Sequence, residues 1–91
     1  MDFDALPGGD LIRRGLDDLS CGRESVCALL VAIGAPRLRR AGIAIPADAP
    51  AAPEHRLYGL VARDGPDAAH ARYNALIGRL VRFERALECG G

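Results

Sequence analysis

The chain has 91 residues, which is enough for one domain and too few for two. Twelve acidic residues balance twelve basic ones, all of them arginine, so the formal net charge is zero. A zero net charge argues against a domain that is attracted to a polyanion by long-range electrostatics. Aromatic residues make up only 4% of the chain and Trp is absent. The core must therefore be built from Leu, Ile, Val and Ala, which suits packed helices better than a small β-barrel.

The cysteines and the N-terminus bear on where the protein works. Cys21, Cys27 and Cys89 are odd in number, and residues 1–4 lack the basic-then-apolar order of an export signal. The longest apolar run covers residues 26–33, far short of the roughly 20 residues that a membrane span needs. We therefore expect reduced thiols, a cytoplasmic location and no membrane contact. The arginine-only, alanine-rich composition indicates a GC-rich genome, so we expect a small bacterial protein.

The first predicted helix follows the glycine pair at positions 8 and 9. Asp10 is a residue type that caps helix N-termini, so we expect it to be the cap. Ile12, Leu16 and Leu19 follow at spacings of four and three, which places them on one helical face. Gly22 is a natural end for this helix.

The next segment, residues 24–33, is apolar all round, so periodicity cannot separate a buried helix from a buried strand. Its two alanines, and the absence of a partner strand elsewhere, favour a helix. Residues 34–36, Gly-Ala-Pro, are expected to break or kink it. A short helix over residues 36–41 would then end at Gly42. Whether residues 24–41 form one kinked helix or two is left open.

A Pro/Ala-rich linker at residues 46–53 divides the chain, because its prolines remove backbone donors and restrict the residues before them. A helix is predicted from Pro53 to Gly65, and a second from Pro66 to Glu88. This last helix would be about 34 Å long. Its apolar residues fill an arc of roughly 160°, wide enough to face two neighbours. They are Ala69, Tyr73, Leu76, Ile77, Leu80, Val81, Phe83 and Leu87.

These elements predict an all-α fold: a small antiparallel bundle of three to four helices with the apolar second helix in the centre and a long C-terminal helix. The whole chain, residues 1–91, is expected to be one helical domain. Residues 1–9 are a candidate disordered N-terminus, and residues 46–53 form an internal linker. The last helix is long for this bundle, so a second copy or another protein could cover part of its apolar face.

No grouping of side chains in the sequence indicates catalysis. Cys21 and Cys27 are separated by five residues, more than the spacing of about two to four that is typical of zinc ligands, and both histidines are isolated. Asp17 and Asp18 are adjacent and would point about 100° apart on a helix. We therefore predict no catalytic residue, no cofactor, no metal and no enzyme. A less favoured alternative is a thiol-dependent enzyme that uses Cys21, with Arg23 as the activating cation.

The arginines are the most prominent polar feature, because guanidinium groups bind carboxylates and phosphates in a bidentate manner. Four of them lie on the outer face of the last helix and three cluster in the short segment after the apolar helix. A solvated surface is the simplest interpretation, an acidic partner protein the next, and nucleic acid or another polyanion the third. This candidate partner or anion surface comprises Arg37, Arg39, Arg40, Arg72, Arg79, Arg82 and Arg85.

The function predicted from these features is protein interaction. The long and broadly apolar final helix, together with the lack of a catalytic grouping, favours a homo-oligomer or a small accessory subunit that acts through helix–helix association. The alternative is arginine-mediated binding of nucleic acid or another anionic partner, which would weaken steeply with salt. Nucleic acid is less favoured, because the net charge is zero and no aromatic residues are interleaved with the arginines.

Overall fold

The computed structural model describes residues 3–46 and 49–90 and contains four α-helices. They are α1 (Gly9–Ser20), α2 (Val26–Arg40), α3 (Pro53–Asp64) and α4 (Ala69–Gly90). Short 3-10 turns, Phe3–Ala5 and Pro66–Ala68, precede α1 and α4. The described part of the chain holds no strand. The predicted all-α bundle with a long C-terminal helix is therefore confirmed.

Helix α2 lies at the centre of the bundle and packs against α1, α3 and α4. Leu29, Leu30, Val31 and Leu38 are at most 1% exposed, which explains why this segment has no polar face. Helices α1, α3 and α4 surround it and contribute one apolar stripe each. The buried residues of these stripes are Ile12 from α1, Leu57 and Val61 from α3, and Ala69, Leu80, Phe83 and Leu87 from α4.

Helices α1 and α2 form an antiparallel hairpin that is closely packed at Gly15 and tied together at its turn. Gly15 of α1 faces the backbone of Cys27, where a Cβ would stand 2.3 Å from the carbonyl oxygen. At the turn, Ser25 caps α2 by accepting a hydrogen bond from the backbone N–H of Ala28 at 3.1 Å. The same hydroxyl donates to Asp18 Oδ2 at 2.6 Å. One serine therefore caps α2 and ties it to the end of α1.

One local prediction differs from the structure, and one open question is answered by it. The N-cap of α1 is Gly8, at φ 75°, and Asp10 lies in the first turn instead. Gly8 suits this position because a Cβ there would stand 2.9 Å from the carbonyl oxygen of Arg79. The question left open for residues 24–41 is also answered, since α2 is one helix with Pro36 inside it. Pro36 is exposed while Ala35 and Leu38 are buried, so packing of α2 keeps this turn helical.

Helices α2 and α4 run in the same direction. Val26 at the start of α2 lies beside Leu76, and Gly34 lies beside Leu80. Further along, Arg37 reaches Glu88 near the end of α4. Alternate helices of an up-and-down bundle have this arrangement. It brings the C-terminal ends of α2 and α4 to the same end of the molecule.

The segments outside the helices also pack on the bundle. Phe3 stacks edge-on against Phe83, with ring centroids 5.7 Å apart. Arg39 donates to the carbonyl oxygen of Pro46 at 2.8 Å and so holds the start of the linker. Residues 1, 2, 47 and 48 are outside the described residues, so the expected N-terminal disorder and the linker lie partly there. The linker ends at Ala52, whose φ of 49° turns the chain into α3.

Candidate partner surface on helix α4

The structure divides the seven predicted arginines into two groups. Arg37 belongs to the first group, because its guanidinium is engaged within the fold. It donates from Nε to Glu88 Oε1 at 2.5 Å and from Nη2 to Oε2 at 2.9 Å, a bidentate pair between α2 and α4. Its Nη1 lies 3.5 Å from Oε1 of Glu84. Arg37 therefore links α2 to α4.

Glu84 is the one buried charged residue within the described part of the chain, at 6% exposure. Its carboxylate fits beside Gly34 of α2, where an added Cβ would stand 3.1 Å from Oε2. Burial raises the pKa of Glu84, Arg37 opposes the rise, and the nearby charge of Glu88 adds to it. The pKa of Glu88 is lowered, chiefly by the hydrogen bond from Arg37. The two carboxyls of this cluster thus shift in opposite directions.

These opposite shifts predict opposite pH dependences for two matched variants. Because its pKa is raised, Glu84 keeps its proton in the folded protein at pH values where the unfolded chain has released it. The contribution of Glu84 to the free energy of unfolding therefore falls as pH rises above about 4.3, the pKa of an unperturbed Glu. The free energy of unfolding of Glu84→Gln, minus that of the wild type, should therefore increase from pH 4 to pH 7. Glu88 stabilises the fold above its unfolded pKa and loses that contribution in acid. Glu88→Gln should therefore become more destabilising over the same range.

Urea unfolding of both variants and the wild type at each pH would measure these differences. Subtracting the wild-type free energy of unfolding at each pH removes most of the pH dependence that the other carboxyls contribute. A Glu84→Gln difference that stays flat with pH, or that follows the Glu88→Gln curve, would contradict the assignment of the buried carboxyl.

Arg39 and Arg40 complete the arginine cluster of α2. Arg39 is committed to the linker through the carbonyl oxygens of Ile45 and Pro46. Arg40 is exposed, and its charge contributes to the low pKa of Glu88, as does that of Arg85 on α4. This end of the bundle therefore combines cations with the carboxylates that they face.

The second group of arginines lies on the outer side of α4 and is defined here as the arginine face: Arg72, Arg79, Arg82 and Arg85. All four side chains are exposed. At about 100° per residue, Glu84 falls on a different side of the helix, and Glu88 neighbours only Arg85, three positions before it. The positions between these arginines hold small residues, which keep the face flat. They are Ala71, Ala75, Gly78 and Ala86.

A shallow groove of about 310 Å³ adjoins the arginine face where α2, α3 and α4 meet. We name it the Val26–Leu76 groove. Val26, Val61 and Leu76 provide its apolar floor, and Ala75 also lines it. Its polar lining residues are Arg72 and Arg79 from α4 and Asp64 from α3. The sequence predicted the two arginines as surface residues, but a groove built from three separate helices has no signal in the sequence.

The thiols occupy three different settings. Cys21 and Cys89 are exposed, and Cys27 is buried between α1 and α2. Burial raises the pKa of the Cys27 thiol. The pKa of Arg23 is raised, first by a hydrogen bond with Cys21 and then by charge interactions with Cys21 and Asp18. Within the described residues, no cluster of three His, Cys, Asp or Glu side chains could hold a metal ion.

Two further observations concern the whole described chain. None of its helices combines the length and the apolar character that a bilayer span requires. Comparison with protein-family models, with curated proteins and with solved structures finds no match for this chain.

Proposed function

We propose that the protein is a small interaction module that binds an acidic surface of another protein on the arginine face. The observation that supports this most directly concerns Arg72, Arg79 and Arg82. Among the described residues these side chains have no hydrogen bond or ion pair, while Arg37 and Arg39 are used within the fold. Exposed cations that form no ion pair within the fold remain available for a carboxylate of a partner.

A protein partner fits this surface better than nucleic acid does. The apolar Val26–Leu76 groove lies directly beside the arginine face, and an apolar recess serves a protein side chain rather than a phosphate backbone. The arginine face contains no lysine and no aromatic side chain on which a base could stack. The zero net charge also provides no long-range attraction to a polyanion.

Self-association through this same face is disfavoured. Two copies of α4 packed face to face would bring arginines against arginines, and like charges in contact cost binding free energy. A homo-oligomer, which the sequence also predicts, would need another surface. Light scattering at high protein concentration would show whether the protein self-associates. The same measurement on Arg82→Glu would show whether that association uses the arginine face.

The test of the proposed function compares four fluorescent probes at low and physiological salt. They are an acidic amphipathic helical peptide, its lysine-substituted counterpart, a DNA duplex and a single-stranded RNA. We expect the acidic peptide to bind with a salt-sensitive affinity and the basic peptide not to bind. Tighter binding of either nucleic acid than of the acidic peptide would overturn the proposal in favour of polyanion binding. Binding of none of the four probes would also overturn it.

A pair of double variants locates the binding. Arg79→Glu with Arg82→Glu reverses two charges on the arginine face, and Arg14→Glu with Arg63→Glu reverses two exposed charges on α1 and α3. Both variants change the net charge by the same amount. We expect the first to weaken peptide binding at least about tenfold and the second to leave it within about twofold. Equal weakening by both would show a general charge effect and no site on α4.

A further inference from the structure

The Val26–Leu76 groove has an asymmetric distribution of charge. Arg72 and Arg79 are both on α4 and are seven residues apart, which is about 10 Å, or two helical turns. Asp64, on α3, contributes a negative charge to the same groove. The apolar floor lies among these groups. Carboxylates can therefore approach from the α4 side and are repelled by Asp64.

From this arrangement we infer that the groove holds one apolar side chain of an amphipathic partner helix whose acidic residues bind Arg72 and Arg79. A helix laid along α4 would present carboxylates seven residues apart to these two arginines. It would present an apolar residue three or four positions after the first carboxylate, on the same helical face. The partner motif is thus acid, apolar, acid at positions i, i+3 or i+4, and i+7. This inference rests on the proposed function and specifies its partner.

The size of the recess matches a single anchor rather than a whole apolar stripe. A volume of about 310 Å³ that is open to solvent is at the lower end of ligand-binding recesses, so it suits one branched or aromatic side chain. A single buried anchor surrounded by charge pairs is a common arrangement in protein interfaces. The flat part of the arginine face, around Ala75, allows the partner backbone to approach closely.

A second copy of this chain does not supply the required helix. Helix α1 presents exposed Asp10 and Asp17 seven residues apart, but Arg13 and Arg14 lie between them. Docking α1 of another copy would therefore place arginines over the apolar floor and beside Arg72 and Arg79. The charge pattern points to a different protein as the partner.

The first experiment uses a family of labelled helical peptides with one parent. The parent has Glu at i and i+7 and Leu at i+3. In the second peptide Leu is replaced by Ser, and in the third the second Glu is moved to i+5, so that net charge and composition stay the same. We expect the parent to bind at least about tenfold more tightly than either relative, because the others lose the anchor or turn one carboxylate away. Equal binding of all three peptides would overturn the inference but leave the proposed function in place.

The second experiment places matched substitutions on α4. Ala75→Trp should fill the groove and weaken binding of the parent peptide at least about tenfold, whereas Ala71→Trp, on the same exposed side but outside the groove, should change it little. Arg79→Glu should weaken binding more than Arg82→Glu, although both change the net charge equally. If the two tryptophan variants behave alike and the two charge reversals behave alike, the groove is not the docking site. Failure of every acidic peptide to bind would instead overturn the proposed function itself.

Discussion

Gly15→Ala is expected to lower the free energy of unfolding by about 2–3 kcal/mol, although alanine is the better helix former. The added Cβ would stand 2.3 Å from the carbonyl oxygen of Cys27 and 2.5 Å from Cγ2 of Val31. The first of these neighbours is backbone, so no side-chain rotation can relieve the contact. Helices α1 and α2 would have to separate, and the buried contacts between them would loosen.

Gly59→Ala provides the control for this substitution. Gly59 lies within α3, and a Cβ there would meet no heavy atom within 4 Å. The same change should therefore raise the free energy of unfolding by about 0.5–1 kcal/mol, the gain in helix propensity alone. Urea denaturation followed by circular dichroism would measure both variants. Stabilisation by both substitutions would show that α1 and α2 are not in close contact at Gly15.

Phe83→Ala is expected to have the largest effect of any single truncation, a loss of about 3–5 kcal/mol. Phe83 is fully buried in α4 and contacts Phe3 of the N-terminal turn. Its removal would leave a cavity and also release the N-terminal segment that packs on it. Because a loss of this size is a large fraction of the stability of a small domain, Phe83→Leu is the companion variant that should remain folded.

Two comparisons make this prediction specific. Phe83→Leu should cost less than Phe83→Ala, because leucine fills part of the site. Phe3→Ala removes only a half-buried ring and its edge contact, so it should cost about 0.5–1.5 kcal/mol. Thermal and chemical unfolding of the three variants would establish the order. A Phe83→Ala loss smaller than that of Phe3→Ala would contradict the central position of Phe83 in the core.

The parts of the fold that could be predicted are those that depend on repeating patterns. The spacing of Leu80, Phe83 and Leu87 predicted the buried stripe of α4, and all three are buried. The segment without a polar face predicted the central helix. In both cases a whole helical face is buried. The apolar pattern in the sequence therefore predicts the helix without knowledge of which helices pack against it.

The parts that could not be predicted depend on pairs of residues far apart in the chain. Arg37 and Glu88 are 51 positions apart, so no spacing rule connects them, and the sequence alone predicts Arg37 as a surface cation. Glu84 lies at the edge of the apolar arc of α4, and its burial becomes apparent only when α2 is placed beside it. Whether the helix continues through Pro36 could not be decided from the local sequence for a related reason, since tertiary packing outweighs the weak preference of one residue.

The shared direction of α2 and α4 has an electrostatic consequence at the end of the bundle where both helices finish. Each helix carries the equivalent of about half a negative charge on its unpaired C-terminal carbonyls, and two such dipoles side by side repel each other. The last turn of α2 contains Arg37, Arg39 and Arg40. Arg85 of α4 is close enough to this end of the bundle to lower the pKa of Glu88 there. These cations neutralise the paired dipole ends. The number of arginines there consequently overstates the positive potential that an approaching molecule would experience.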